Sequence, residues 1–92
     1  MFRPAILFIL LLLLSPIPGT PAGETGHVTF AVGCYDVGAA ALEKHLGVLT
    51  VEKGWQGFRE VNRVEYDPHR VTVDQLEQWL KQAKTWRATL PN

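Results

Sequence analysis

Thiol is what this chain has least of. Cys34 is the single cysteine among 92 residues, so no disulfide can form within the molecule. An excess of charge is missing as well, because nine Lys and Arg stand against nine Asp and Glu. That balance removes the electrostatic case for nucleic acid or an anionic membrane as partner. There is no apolar run long enough to cross a bilayer: the longest, Ala5 to Leu14, is ten residues, against the roughly 20 that a spanning helix needs. No internal repeat or low-complexity tract follows it, and no cysteine just after it offers an acceptor for a lipid.

What the first residues do contain is the layout of a secretory signal peptide. Arg3 supplies the positive charge, residues 5–14 the apolar block, and the small, turn-prone "SPIPGTPA" a cleavage region. Cleavage is expected after Ala22, with Gly19 as the other site, and an uncleaved anchor is the weaker reading. Residues 1–22 are thus expected to be the signal peptide and 23–92 one exported domain, secreted or periplasmic. Without Arg3, eight basic residues face nine acidic ones, a net charge of −1. A domain this small is close to the lower limit for a single core. With no staple of its own, it must be held by packing.

After the short lead "GETG", His27 to Val32 alternates with Val28, Phe30 and Val32 on one face, a strand pattern. Asp36 is in position to cap a helix rich in alanine that stops at Gly47. "VLTVEK", residues 48–53, reads as a second strand, with Val48 and Thr50 on one face and Leu49 and Val51 on the other. "GWQGF" reads as a turn with Gly54 and Gly57 free for positive φ. Arg59 to Tyr66 is a third strand, closed by Asp67-Pro68. Thr72 and Gln75 fit a capping box, and Val73, Leu76, Trp79, Leu80 and Ala83 recur at helical spacing. From Thr85 the chain is expected to fray, with no fourth strand evident. The order β-α-β-β-α predicts an α+β fold, a ferredoxin-like two-layer sandwich with two helices on one face of a small sheet. Strands one and two should then be parallel, as neighbours or with one strand between them.

Cys34 falls at the first strand-to-helix turn. The partial positive charge and unpaired N–H groups of a helix start favour a thiolate, which can attack sulfur or carbon or hold a soft metal. Composition alone favours a buried thiol acting as a small hydrophobe. The surrounding pattern is more specific. Gly33-Cys34-Tyr35, Gly47-Val48, Gly54-Trp55-Gln56-Gly57, Glu60 followed by Val64, and Tyr66-Asp67-Pro68 occur in one order. Over residues 30 to about 83 this resembles the methionine sulfoxide reductase A family.

The resemblance implies reduction of the S epimer of methionine sulfoxide, free or in protein. Cys34 would be the nucleophile, passing through a sulfenic acid, and Glu60 the proton donor, a role that needs a carboxyl kept protonated by an apolar pocket. Tyr35 stands where the family has phenylalanine and Trp55 where it has tyrosine, as substrate-binding residues. No cofactor and no metal is implied. With no second cysteine, an external thiol reductant such as a thioredoxin-like protein must return Cys34 to the thiol.

The family's tryptophan next to the nucleophile pair is Asp36 here, a charge that opposes a nearby thiolate. Its long excursion before the acid, with a further tyrosine, and its later aspartate and tyrosine have no counterpart. Two other readings stay open. One is a non-catalytic exported binding module of the same fold. The other is a metal-binding domain similar to heavy-metal-associated domains, although Cys34 has Ala31 and Val37 where a Cys-x-x-Cys pair needs its second thiol. His27, His45 and His69 lack ligand spacing and read as surface residues.

Overall fold

A computed structural model describes residues 24–91. The expected signal peptide lies outside the described residues. Six elements follow in order: β1 (Gly26–Val32), α1 (Tyr35–Glu43), β2 (Val48–Gln56), β3 (Arg59–Tyr66), α2 (Val73–Gln82) and β4 (Trp86–Leu90). The strands form one sheet in the order β2-β3-β1-β4, with every neighbouring pair antiparallel. β1 and β2 therefore run parallel with β3 between them. The chain is an α+β two-layer sandwich with the ferredoxin-like strand order.

The alternation in β1 sets the core. Val28, Phe30 and Val32 are 6%, 0% and 5% exposed, and they meet Val64 of β3, Leu42 of α1, and Leu76 and Leu80 of α2. Burying aliphatic side chains of this size removes apolar surface from water at about 1.5–3 kcal/mol each. α2 starts where its capping box requires. The Gln75 N–H donates to Thr72 Oγ1 at 3.1 Å, and the Thr72 N–H donates to Gln75 Oε1 at 2.9 Å, a cap worth about 1 kcal/mol.

Four expectations change. The chain after Thr85 does not fray: Trp86–Leu90 forms β4, paired with β1 from Thr29 to Val32. The second strand does not stop at Lys53. It runs to Gln56, so Gly54 is a strand residue opposite Val61. The turn shrinks to Gly57-Phe58, with φ +64 at Gly57 alone of the pair, the geometry of a two-residue II′ hairpin with glycine first. The simple alternation in β2 is broken by a bulge between Val48 and Thr50. Val48 and Val51 both pack on the core while Leu49 is left 51% exposed. Finally, Asp36 does not cap α1. The N-cap is Cys34, with φ −143, ψ 119 and no side-chain cap of its own, and the Tyr35 N–H finds its acceptor on another element.

Candidate functional site

The elements bring the four expected residues to one end of the sandwich. Trp55 lies opposite Glu60 in the β2–β3 register, and Glu60 lies opposite Val32 in the β1–β3 register. This row ends two residues before Cys34, beneath the start of α1. The Tyr35 N–H donates to Glu60 Oε1 at 2.9 Å. Glu60 therefore satisfies from β3 the N–H of the first helical residue, one of those that a helix start leaves without an intrahelical partner. Its Oε2 takes no hydrogen bond from the described residues. The Tyr35 and Trp55 rings meet edge to face, centroids 6.0 Å apart and planes at 76°. Cys34 is half-buried and Trp55 is 56% exposed.

Residues that sequence reasoning did not assign to the site complete it. Thr85, 4% exposed, clamps the strand-to-helix turn. Its carbonyl accepts the Gly33 N–H at 2.7 Å, and its Oγ1 accepts the Cys34 N–H at 3.0 Å and donates to the Cys34 carbonyl at 3.3 Å. Asn62, fully buried, donates from Nδ2 to the Tyr35 carbonyl at 3.0 Å. Lys53 answers the charge of Asp36, with Nζ 2.8 Å from Oδ1. The hydrogen bond to Asp36, then the attraction of the same carboxylate, holds the Lys53 ammonium above its ordinary pKa. Lys53 Nζ also stands 5.9 Å from the Tyr35 ring centre. The only advance signal for Lys53 was its period-two relation to Trp55.

A groove of about 340 Å³ borders this end, lined by Val32, Gly33, Phe58, Arg59, Glu60 and Arg87. A larger hollow, about 410 Å³, lies elsewhere along the sheet, with His27, Thr50, Glu52, Arg63 and Glu65 among its lining residues. Cys34 does not line it. The three histidines stand apart: His27 meets Glu65, His69 meets Glu24, and His45 stacks on Trp79. Among the described residues, no three His, Cys, Asp or Glu side chains group as a metal site.

No family model, no curated protein and no solved structure matches this chain. What the site can do chemically follows from its own residues: a part-exposed thiol at a helix start, a carboxyl with one free oxygen, two aromatic edges and a lysine.

Proposed function

We propose that this chain is an exported, thiol-dependent reductase of methionine S-sulfoxide, free or in protein, with Cys34 as nucleophile and Glu60 as proton donor. The observation that carries the reading is the convergence of Cys34, Tyr35, Trp55 and Glu60 on the start of α1. Cys34 Sγ attacks the sulfoxide sulfur, and Glu60 Oε2 delivers a proton to the sulfoxide oxygen. Oxygen passes to Cys34 as a sulfenic acid and methionine leaves as the thioether. The Tyr35 and Trp55 rings wall the methyl group. An external thiol, small or on a thioredoxin-like protein, condenses with the sulfenic acid to release water and form a mixed disulfide. A second thiol equivalent then frees Cys34 and leaves as a disulfide, the two thiols together having supplied the two electrons that reduced the sulfoxide.

One observation favours a second reading, a non-catalytic binding module of the same fold. Glu60 has a structural task in holding the Tyr35 N–H, which accounts for a carboxylate at this position without chemistry.

Glu60→Gln separates the two, since glutamine keeps the acceptor oxygen and loses the acidic proton. With the separate S and R epimers of a methionine sulfoxide peptide and excess dithiothreitol, the protein should reduce S alone. Activity should vanish in Cys34→Ser and fall about 10²-fold or more in Glu60→Gln, with the thermal midpoint of Glu60→Gln unchanged. Absence of S-specific turnover in the native protein would leave the binding module.

A further inference from the structure

We propose that the groove beside Cys34 is a carboxylate site, built by Arg59 and Arg87, that brings a small carboxylate-bearing thiol or sulfoxide to this thiol. Naming those ligands rests on the reductase reading; the arginine site itself does not.

Val32 and Glu60 are paired in antiparallel register. Gly33, just past the end of β1, and Arg59, the first residue of β3, line the groove together beyond that pair. Against Gly33 lies Arg87 of β4, whose guanidinium covers the glycine: a Cβ there would meet Nη2 at 3.2 Å and Nε at 3.3 Å. Two exposed arginines thus share the groove with the residue before Cys34. Among the described residues neither forms an ion pair, while Arg63 and Arg70 each have an acidic partner.

The groove they share has one acid, Glu60, and its Oε1 is engaged by the Tyr35 N–H. Two cations against one carboxyl give the groove a net positive charge. A guanidinium presents a planar pair of donors that matches a carboxylate. The size of the groove, about 340 Å³, suits a small molecule. Phe58, fully exposed at the hairpin tip, offers an apolar wall for the methylene and sulfur part of such a ligand. A chain with one cysteine depends on thiols from outside, and a carboxylate held at Gly33 would stand one residue along the chain from Cys34, which does not itself line the groove.

The experiment compares alkylation of Cys34 by iodoacetate and by neutral iodoacetamide, in the native protein, Arg59→Gln, Arg87→Gln and the urea-unfolded chain. In both reactions the thiolate displaces iodide, so a change in thiolate fraction cancels in the ratio of rates. The acetate-to-amide ratio should be highest in the native protein. Each substitution should lower it by up to about fivefold, the range for an exposed charge pair. Arg87→Lys should restore it only in part, because it keeps the charge and loses the fork.

Two further arms identify the source of the carboxylate. The first is exchange of Cys34 with glutathione disulfide, forming the mixed disulfide and releasing one glutathione thiolate, beside hydroxyethyl disulfide as the neutral control. An arginine-dependent preference for glutathione disulfide assigns the groove to the reductant. The second is slowing of iodoacetate by free methionine S-sulfoxide but not by its N-acetyl methyl ester, which assigns it to the substrate. Equal ratios in native, substituted and unfolded chains overturn the site even where turnover is found. A raised ratio without turnover keeps the site and overturns the reductase reading.

Discussion

Asn62 is the polar residue on which the site's geometry most depends. It has no exposed surface, its Nδ2 holds the Tyr35 carbonyl, and its Oδ1 has no hydrogen-bond partner. An unmet buried acceptor costs about 1–3 kcal/mol, so the position of that oxygen matters. It stands where a side chain on Gly38 of α1 would begin, 1.9 Å from an ideal Cβ. Gly38→Ala should therefore destabilise the protein, although alanine in a helix interior is otherwise worth about 1 kcal/mol over glycine. The expected net loss is about 1–3 kcal/mol, the usual cost of overpacking. In an Asn62→Ala background the same change should become neutral or stabilising. Urea midpoints of the four chains in this cycle decide it, and a stabilising Gly38→Ala in the native background would contradict the contact. Cys34, Tyr35, Trp55 and Glu60 were singled out in the sequence by their place in one order of glycine and aromatic residues, and the fold sets Tyr35 against both Glu60 and Trp55. Asn62, Thr85 and Lys53 were not, because their partners are 27, 51 and 17 residues away and only strand register brings them near.

Among the elements, α2 and the first three strands were readable from periodicity and caps and α1 from its alanine content and the stop at Gly47, and β4 was not. Its sequence, Trp-Arg-Ala-Thr-Leu, is short, and the turn before it carries no glycine. The left-handed position that normally calls for one is filled by Lys84, with φ 62. The packing of one helix on the other was equally hidden. Just beyond α1, His45 stacks on Trp79 of α2, centroids 3.5 Å apart and planes at 3°. Burial against that ring, then the neighbouring Lys44, lowers the His45 pKa from its ordinary 6.5. As pH falls through 6.5 the unfolded chain takes up the proton before the folded one does, so this contribution is present above 6.5 and lost on acidification. His69 runs the other way. Its hydrogen bond to Glu24, then the charge of Glu24, raises its pKa, a contribution present below 6.5 and lost as pH rises through the folded value. In His69→Gln, which removes that opposing effect, the urea midpoint should drop between about pH 7.5 and pH 5.5, above the range of ordinary carboxylates. Adding His45→Gln should flatten the drop, and an unchanged slope would show that the stacked imidazole does not titrate out of step with the unfolded chain.

For the molecule as a whole, completing the sheet and assembling the site are one event. β1 is interior only because β4 pairs with it, and the same strand delivers Thr85 and Arg87 to the turn that carries Cys34. Among the described residues a core of eleven buried apolar side chains leaves a domain of this size a total stability of about 5–15 kcal/mol at most, so the last strand is a large share. Ending the chain after Lys84 removes three hydrogen bonds at Gly33 and Cys34, at about 1 kcal/mol each. It also removes the packing of Trp86 on the core. Tolerance to truncation follows burial and hydrogen bonding rather than position in the chain, so the shortened protein should lose its cooperative urea transition, and Cys34 should alkylate with iodoacetamide as fast as in the unfolded state. Thr85→Val is the gentler test. It keeps the strand and the carbonyl bond to Gly33 and deletes the hydroxyl that both accepts from and donates to Cys34. The fold should persist at a cost of about 1–3 kcal/mol, with alkylation of Cys34 faster than in the native protein because its turn is no longer clamped. A truncated chain with the native urea midpoint would mean that the strand adds neither stability nor a floor to the site, and Thr85 would then have no claim on the behaviour of the thiol.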